Sequence, residues 1–272
     1  MNISFIGGGN MARAIISGLK NNGFGMSAIM VLELDADKRV QLSEEFGVQA
    51  TTSYADVSNS DVILLSVKPQ QLRTVCVELS PLLEKQLVIS IAAGVRTKDI
   101  SRWLSGYAAI VRVMPNTPAQ IQAGVSALYA PTGVTKIQSV QAETILDAVG
   151  VTLWLDDEMQ MDAVTAISGS GPAYVFYMIE ALQEAALKLG LSEDQSRILA
   201  VQTFAGASLL ATQSTDDIQT LRAQVTSKGG TTEQGILALE AANIKAAILQ
   251  AAKAAKDKSI LLGDQLGMLE ST

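Results

Sequence analysis

The sequence predicts an α/β protein: an N-terminal, mostly parallel sheet followed by an all-α domain. Three observations predict it. Short apolar runs alternate with helical patterns from the N-terminus to about residue 155. A glycine-rich turn lies directly between the first such run and the first helical pattern. After Asp156-Asp157-Glu158 the strand signals stop, and a helical, alanine-rich pattern takes over. The expected domains are therefore 1–156 and 157–272, which suits 272 residues at roughly 150 per domain.

Asn2 to Ile6 is a short strand that runs into Gly7-Gly8-Gly9-Asn10-Met11-Ala12, after which Ala14, Ile15, Ile16 and Leu19 continue at helical spacing. This is a G-x-G-x-x-A dinucleotide fingerprint, in which Gly7 permits the tight turn, Gly9 admits a pyrophosphate to the backbone and Ala12 lets helix and strand pack closely. A second strand, Ala28 to Leu34, brings the acid Glu33 about 20 residues beyond Ala12, the spacing of a ribose-binding acid. The first domain therefore reads as Rossmann-type. A helix near Ala36 to Phe46, a strand leading to Ala50 and a buried strand at Val62 to Val67 continue the alternation. Ser66-Val67-Lys68 closes that strand at the edge where open α/β sheets bind ligands, so Lys68 faces either a ribose phosphate or plain solvent. Leu87 to Ile91 ends in Ala92-Ala93-Gly94, small enough for a flat ring to approach. Ala109 to Val113 ends in Met114-Pro115-Asn116-Thr117-Pro118, where prolines fix the backbone around an amide; an ordinary turn is the alternative. Strands at Val125 to Tyr129 and Val151 to Leu155 flank a helix from about Thr135 to Ala148.

Beyond the acidic hinge, Ile167 to Pro172 interrupts the first helical stretch. Helices then run to about Lys188, from Ser192 to about Ala211, Asp216 to Ala223, Thr231 to Ala241 and Ile244 to Leu266. They carry more apolar residues than single stripes hold, which points to burial against a second copy; Tyr174, Phe176 and Tyr177 read as packing or interface residues.

Composition narrows the chemistry. With 48% hydrophobic and 17% charged residues the chain builds a real core. A net charge of -7 with only 20 Lys+Arg excludes nucleic acid as the expected partner. The apolar runs are strand-sized, no membrane span or signal peptide is visible, and the cytoplasm is expected. Cys76, between Val75 and Val77, reads as a buried structural thiol. The absence of histidine removes Ser-His and Cys-His pairs and the usual zinc sets, so no metal is expected and a cofactor should carry the chemistry.

Val225 to Glu240, VTSKGGTTEQGILALE, has the layout of an anion cradle: hydroxyls at Thr226, Ser227, Thr231 and Thr232 flank Gly229-Gly230 just before a helix. Thr231 and Gln234 are spaced as a capping box, and the helix N-terminus would offer backbone N–H groups to a small carboxylate. A flexible Gly-Thr loop between helices is the other reading.

The blocks FIGGGNMA, SVKPQ, SIAAG, VRVMPNTP, WLDDE, DAVTAISGSGPAY and VTSKGGTTEQGILALE, in this order, closely resemble the pyrroline-5-carboxylate reductase family over essentially the whole chain. The resemblance implies a dinucleotide-binding first domain, a helical second domain that interleaves with a partner in a homodimer, and often a ring of dimers. It implies reduction of 1-pyrroline-5-carboxylate to proline by NADPH or NADH, the last step of proline synthesis. It places the cofactor at Gly7, Gly8, Gly9, Asn10, Met11 and Ala12, at Ser66, Val67 and Lys68, at Ala92 and Ala93, and its nicotinamide near Asn116. It places the substrate at Ser227, Gly229, Gly230, Thr231 and Thr232, with Glu158 approaching the ring. Thr232 would hydrogen-bond the ring nitrogen and relay a proton; an iminium already carries its proton, so no strong acid is required. Two departures bear on cofactor choice. Glu33-Leu34-Asp35 stands where many members place hydroxyl residues for a 2′-phosphate, which favours NADH, although Lys38 and Arg39 lie near enough to receive NADPH. Ser53 replaces a ribose-contacting asparagine.

Two rivals remain. A β-hydroxyacid dehydrogenase needs a lysine where this chain has Val175. A dinucleotide-sensing regulator has no use for the carboxylate cradle.

Overall fold

The computed structural model describes residues 1–268; the last four residues of the expected 157–272 domain lie outside the described residues. The elements in chain order are β1 (Ile3–Ile6), α1 (Asn10–Asn21), β2 (Ile29–Leu32), α2 (Ala36–Phe46), β3 (Gln49–Thr51), α3 (Tyr54–Val57), β4 (Val62–Leu65), α4 (Pro69–Leu79), β5 (Leu87–Ser90) and α5 (Thr97–Trp103). They continue with β6 (Ile110–Met114), β7 (Gly124–Tyr129), α6 (Lys136–Asp147), β8 (Gly150–Trp154), α7 (Gln160–Val164), α8 (Gly171–Lys188), α9 (Glu193–Gln213), α10 (Ile218–Gln224), α11 (Thr231–Ala241) and α12 (Ile244–Gly267).

The eight strands form one sheet in the order β3-β2-β1-β4-β5-β6-β7-β8. All pairs are parallel except β6 with β7. Parallel strands are covered on both faces, so they read as unbroken apolar runs. Val62-Ile63-Leu64-Leu65 is wholly buried for that reason. Alternate residues serve opposite faces. Ile3, Phe5, Val62 and Leu64 pack against Ala12, Ile15, Ile16 and Ile145 of α1 and α6. Ile6, Ile63 and Leu65 pack with Leu72, Val75, Cys76 and Leu79 of α4 and with Ile100 of α5. Each of the Ile, Leu, Val and Phe side chains among these contributes about 1.5–3 kcal/mol by leaving water. The strand order reverses between β1 and β4, which opens a crevice at the C-terminal ends of those strands.

The chain divides into two compact units, residues 1–170 with 254–272, and residues 171–253. Within the second, α8 packs on α9, whose N-terminus is closed by a capping box of Ser192 and Gln195. Helices α8, α10 and α11 bury none of their residues in the single chain. Phe176 and Tyr177 are 66% and 67% exposed. The interruption read at Ile167 to Pro172 is a π-helical turn, Thr165–Gly169, between α7 and α8. Its Gly169 lies where a Cβ would collide with the Met114 side chain, so the turn packs tightly on the end of β6.

Gly18 in α1 presses on the chain after α6, where an added methyl would strike the Ala148 carbonyl and stand 2.8 Å from Val149 Cγ1. Alanine improves helix propensity by about 1 kcal/mol, but overpacking costs about 1–3 kcal/mol. Backbone cannot yield as a side-chain tip does, so the steric term wins. Gly18→Ala should lower the urea midpoint at unchanged slope; a raised midpoint would show that α1 moves away freely.

Candidate active site

The glycine turn after β1 is held from both neighbouring strands. The Gly7 N–H donates to Leu32 O at 2.8 Å on the β2 side. On the β4 side the Ser66 hydroxyl donates to Gly7 O at 2.6 Å, with Ile6 O 3.0 Å away. Gly7 has φ +99° and a Cβ there would come 3.0 Å from Ser66 O, so only glycine suits the turn. Gly8 is buried, and its N–H donates to Glu33 Oε2 at 2.9 Å. Gly9 is the N-cap of α1, extended, exposed and with no atom within 4 Å of where a Cβ would sit. No side chain caps α1 and no acid lies in its first turn. The opening N–H groups of the helix, with their partial positive charge, therefore have no capping side chain beside exposed Gly9 and Asn10, while Met11 packs on the core and Ala12 is buried against the sheet. This arrangement fits a dinucleotide pyrophosphate.

The other expected cofactor residues line the same sheet edge or its approaches. Val67 and Lys68 follow β4, with exposed Lys68 at the N-cap of α4 and Pro69 in the first turn. Ala92 is buried and Ala93 exposed directly after β5. Ser53 is the N-cap of α3, its N–H donating to Thr51 Oγ1 at 3.0 Å. Asn116 Oδ1 accepts the Val125 N–H at 2.9 Å. That bond fixes which end of the amide is which and leaves the NH2 as the remaining donor.

Glu158 sits among partners that the sequence did not disclose. Its Oε1 accepts from the Thr97 N–H at 2.7 Å and from Arg112 Nη1 at 3.0 Å, and Oε2 accepts the Thr97 hydroxyl at 2.7 Å. Arg112, on β6, is 3% exposed. A lone charge in the apolar run Ile110–Met114 was the available signal, because a buried guanidinium demands a counter-ion. Glu158 and Arg112, with Arg96, Lys98 and Lys256, line a cavity of about 600 Å³.

The 227–232 loop belongs to the second unit. Gly229 has φ +75° and Gly230 is the extended N-cap of α11. Helix α11 starts at Thr231 as expected, but the Thr231–Gln234 capping box does not form. Gly229 turns the chain so that Gly230 takes the cap position, which makes Glu233 the third helical residue. Its carboxylate reaches back to the Gly229 N–H at 2.7 Å, and the Gly230 N–H donates to Ser227 O at 3.0 Å. Thr226 is committed to Arg222 O at 2.6 Å, whereas Ser227, Thr231 and Thr232 are exposed. Glu233 is thus a further acid in this loop that the sequence reading passed over.

Burial pushes the Cys76 thiol up to about 12, which removes it as a nucleophile at neutral pH. Among the described residues no group of three or more His, Cys, Asp or Glu could hold a metal ion. Among the described residues no single helix is long and apolar enough to cross a membrane.

Residues 158–262 match the family model described as pyrroline-5-carboxylate reductase dimerisation, and residues 2–94 match that of the coenzyme F420-dependent NADP oxidoreductases. A pyrroline-5-carboxylate reductase of Pseudomonas aeruginosa is 44% identical over 267 residues, covering 97% of this chain and 98% of that protein. The chain belongs to the pyrroline-5-carboxylate reductase family. A solved pyrroline-5-carboxylate reductase from Coxiella burnetii superposes with a TM-score of 0.92 at 44% identity, over 97% of this chain and 98% of that one. The Plasmodium falciparum pyrroline carboxylate reductase with NADP bound is 29% identical with a TM-score of 0.86, over 97% and 98% of the two chains. Membership in the reductase family sets aside the hydroxyacid dehydrogenase and sensor readings.

Removing Glu158 leaves the Arg112 guanidinium buried without its counter-ion and frees Thr97. Breaking a buried pair on one side costs about 3–5 kcal/mol. Glu158→Ala should show that loss in chemical unfolding, with Glu158→Gln intermediate; a loss below about 1 kcal/mol, the range of an exposed pair, would mean that Arg112 finds water instead.

Proposed function

We propose that this chain reduces the C=N bond of 1-pyrroline-5-carboxylate to give L-proline, with 1–156 binding NADPH or NADH and 157–272 supplying the substrate loop and the dimer surface. The single observation that carries the cofactor half is the uncapped, acid-free N-terminus of α1 opening beside Gly9. The bound reduced nicotinamide supplies a hydride to the imine carbon. Apart from a proton relay at Thr232, the chain's own residues position the reactants, which in a well-aligned pair accounts for several kcal/mol of barrier.

In this reading Gly7 to Ala12 hold the pyrophosphate, Glu33 and Ser53 approach the adenosine ribose, Ser66, Val67 and Lys68 flank the phosphates, and Ala92 and Ala93 leave room for the ring. The remaining amide donor of Asn116 orients the nicotinamide. Ser227, Gly229, Gly230 and Thr231 bind the substrate carboxylate at the start of α11. One feature of that loop supports this: its hydroxyl-bearing residues Ser227, Thr231 and Thr232 are exposed, while the Gly229 N–H is held by Glu233. Thr232 bonds the ring nitrogen and relays its proton. Glu158 serves the substrate by holding Arg112 on the wall of the cavity that both line, with Thr97 as its second partner. The chain works as a homodimer, and dimers associate in a ring. The unburied apolar side chains of α8, α10 and α11 support the dimer, since a second copy is what would remove them from water. The enzyme works in the cytoplasm, with neither nucleic acid nor membrane as partner.

The decisive assay follows loss of nicotinamide absorbance on mixing the protein with 1-pyrroline-5-carboxylate and NADH or NADPH. Oxidation that requires the imine is expected. Thr232→Ala should lower kcat by about 10²-fold, the lower range for a proton-transfer group, with dinucleotide affinity unchanged. Unchanged turnover would remove Thr232 from the chemistry.

A further inference from the structure

Which dinucleotide is preferred is legible at the end of β2. Glu33 follows that strand directly, and its carboxylate is not out in solvent: Oε2 accepts the Gly8 N–H at 2.9 Å and Oε1 accepts the Asp35 N–H at 3.1 Å. The carboxylate therefore lies across the glycine turn itself. Gly8 makes this approach possible, since a Cβ there would stand 3.3 Å from Glu33 Oε2 and 2.5 Å from Leu42 Cδ1.

The groups that would welcome a phosphate beside it are already engaged. The N-terminus of α2 could serve as an anion site, but Asp35 caps it, Oδ1 accepting the N–H groups of Asp37 and Lys38 at 3.0 and 3.2 Å. Arg39 turns Nη1 back onto Glu33 O and Leu34 O, each at 2.8 Å. Lys38 Nζ lies 4.0 Å from Asp35 Oδ2. An incoming phosphate would thus meet two carboxylates, with Arg39 Nη1 turned onto backbone carbonyls and Lys38 drawn toward Asp35. A ribose hydroxyl meets an acceptor already fixed in place.

We infer that Glu33 is the specificity-determining residue by which this chain selects NADH over NADPH, its carboxylate accepting the 2′-hydroxyl and, with Asp35, repelling a 2′-phosphate. The inference rests on the proposed function, in which the Gly7 to Gly9 turn holds the dinucleotide.

Titration calorimetry with ADP-ribose and with 2′-phospho-ADP-ribose tests this without turnover. The native chain should bind ADP-ribose about 10-fold or more tighter. Glu33→Gln should narrow the gap and Glu33→Ser should narrow it further, with ADP-ribose binding in each variant reporting an intact turn. Equal or tighter binding of the phosphorylated fragment by the native chain would overturn the inference, and that comparison holds whether or not either variant folds. A native-sized gap in both folded variants would also overturn it. If the native chain binds neither fragment, the proposed cofactor site fails, and the selectivity claim with it.

Discussion

The turn after β1 is the point on which the sheet and the site both depend. Its glycine backbone donates to β2 and is gripped by the Ser66 hydroxyl at the end of β4, so the crevice is built where the strand order changes direction. Register follows from burial: Ile3 and Phe5 face one layer, Ser4 and Ile6 the other, and a slip of one residue would exchange them. Because β1 lies between β2 and β4, the same register delivers Glu33, Ser66 and Gly7 to a common edge. The uncapped helix opening there is tolerable in an isolated chain because it is exposed, and it becomes useful when an anion takes the place of water.

The helical unit obeys a different constraint. Its elements have good local reasons to be helices, including the Ser192–Gln195 capping box and the Asp217 carboxylate that accepts the Thr220 N–H at 2.7 Å and is held below the usual carboxylate range by that bond. What a single copy lacks is burial. Helices α8, α10 and α11 enclose none of their own side chains, so local propensity sets their ends while association must supply their core.

Much of this was legible in the sequence. Buried parallel strands announce themselves as apolar runs such as Val62 to Leu65, and Ser192 stands at the start of the α9 helical pattern. The glycine turn was legible because its function needs residues without side chains at fixed spacing. What escaped reading were contacts between residues far apart in the chain. Glu158 gave no local sign that it would hold Thr97 and Arg112, since nothing in their spacing encodes the pairing. The cap of α11 was misplaced by one residue because Gly230 and Thr231 are both capable caps, and the positive φ of Gly229 decides between them. The π-helical turn at 165–169 showed only as an interruption of helical periodicity.

The proposed reaction is direct hydride transfer from a reduced dinucleotide bound at the glycine turn to the imine carbon of the substrate. The most direct measurement supplies the enzyme with 1-pyrroline-5-carboxylate and NADH doubly deuterated at the nicotinamide C4 in ordinary water, and locates the label in the product by NMR. The account predicts one deuterium on the proline ring carbon that was doubly bonded to nitrogen. Proline formed without deuterium at that carbon would contradict it.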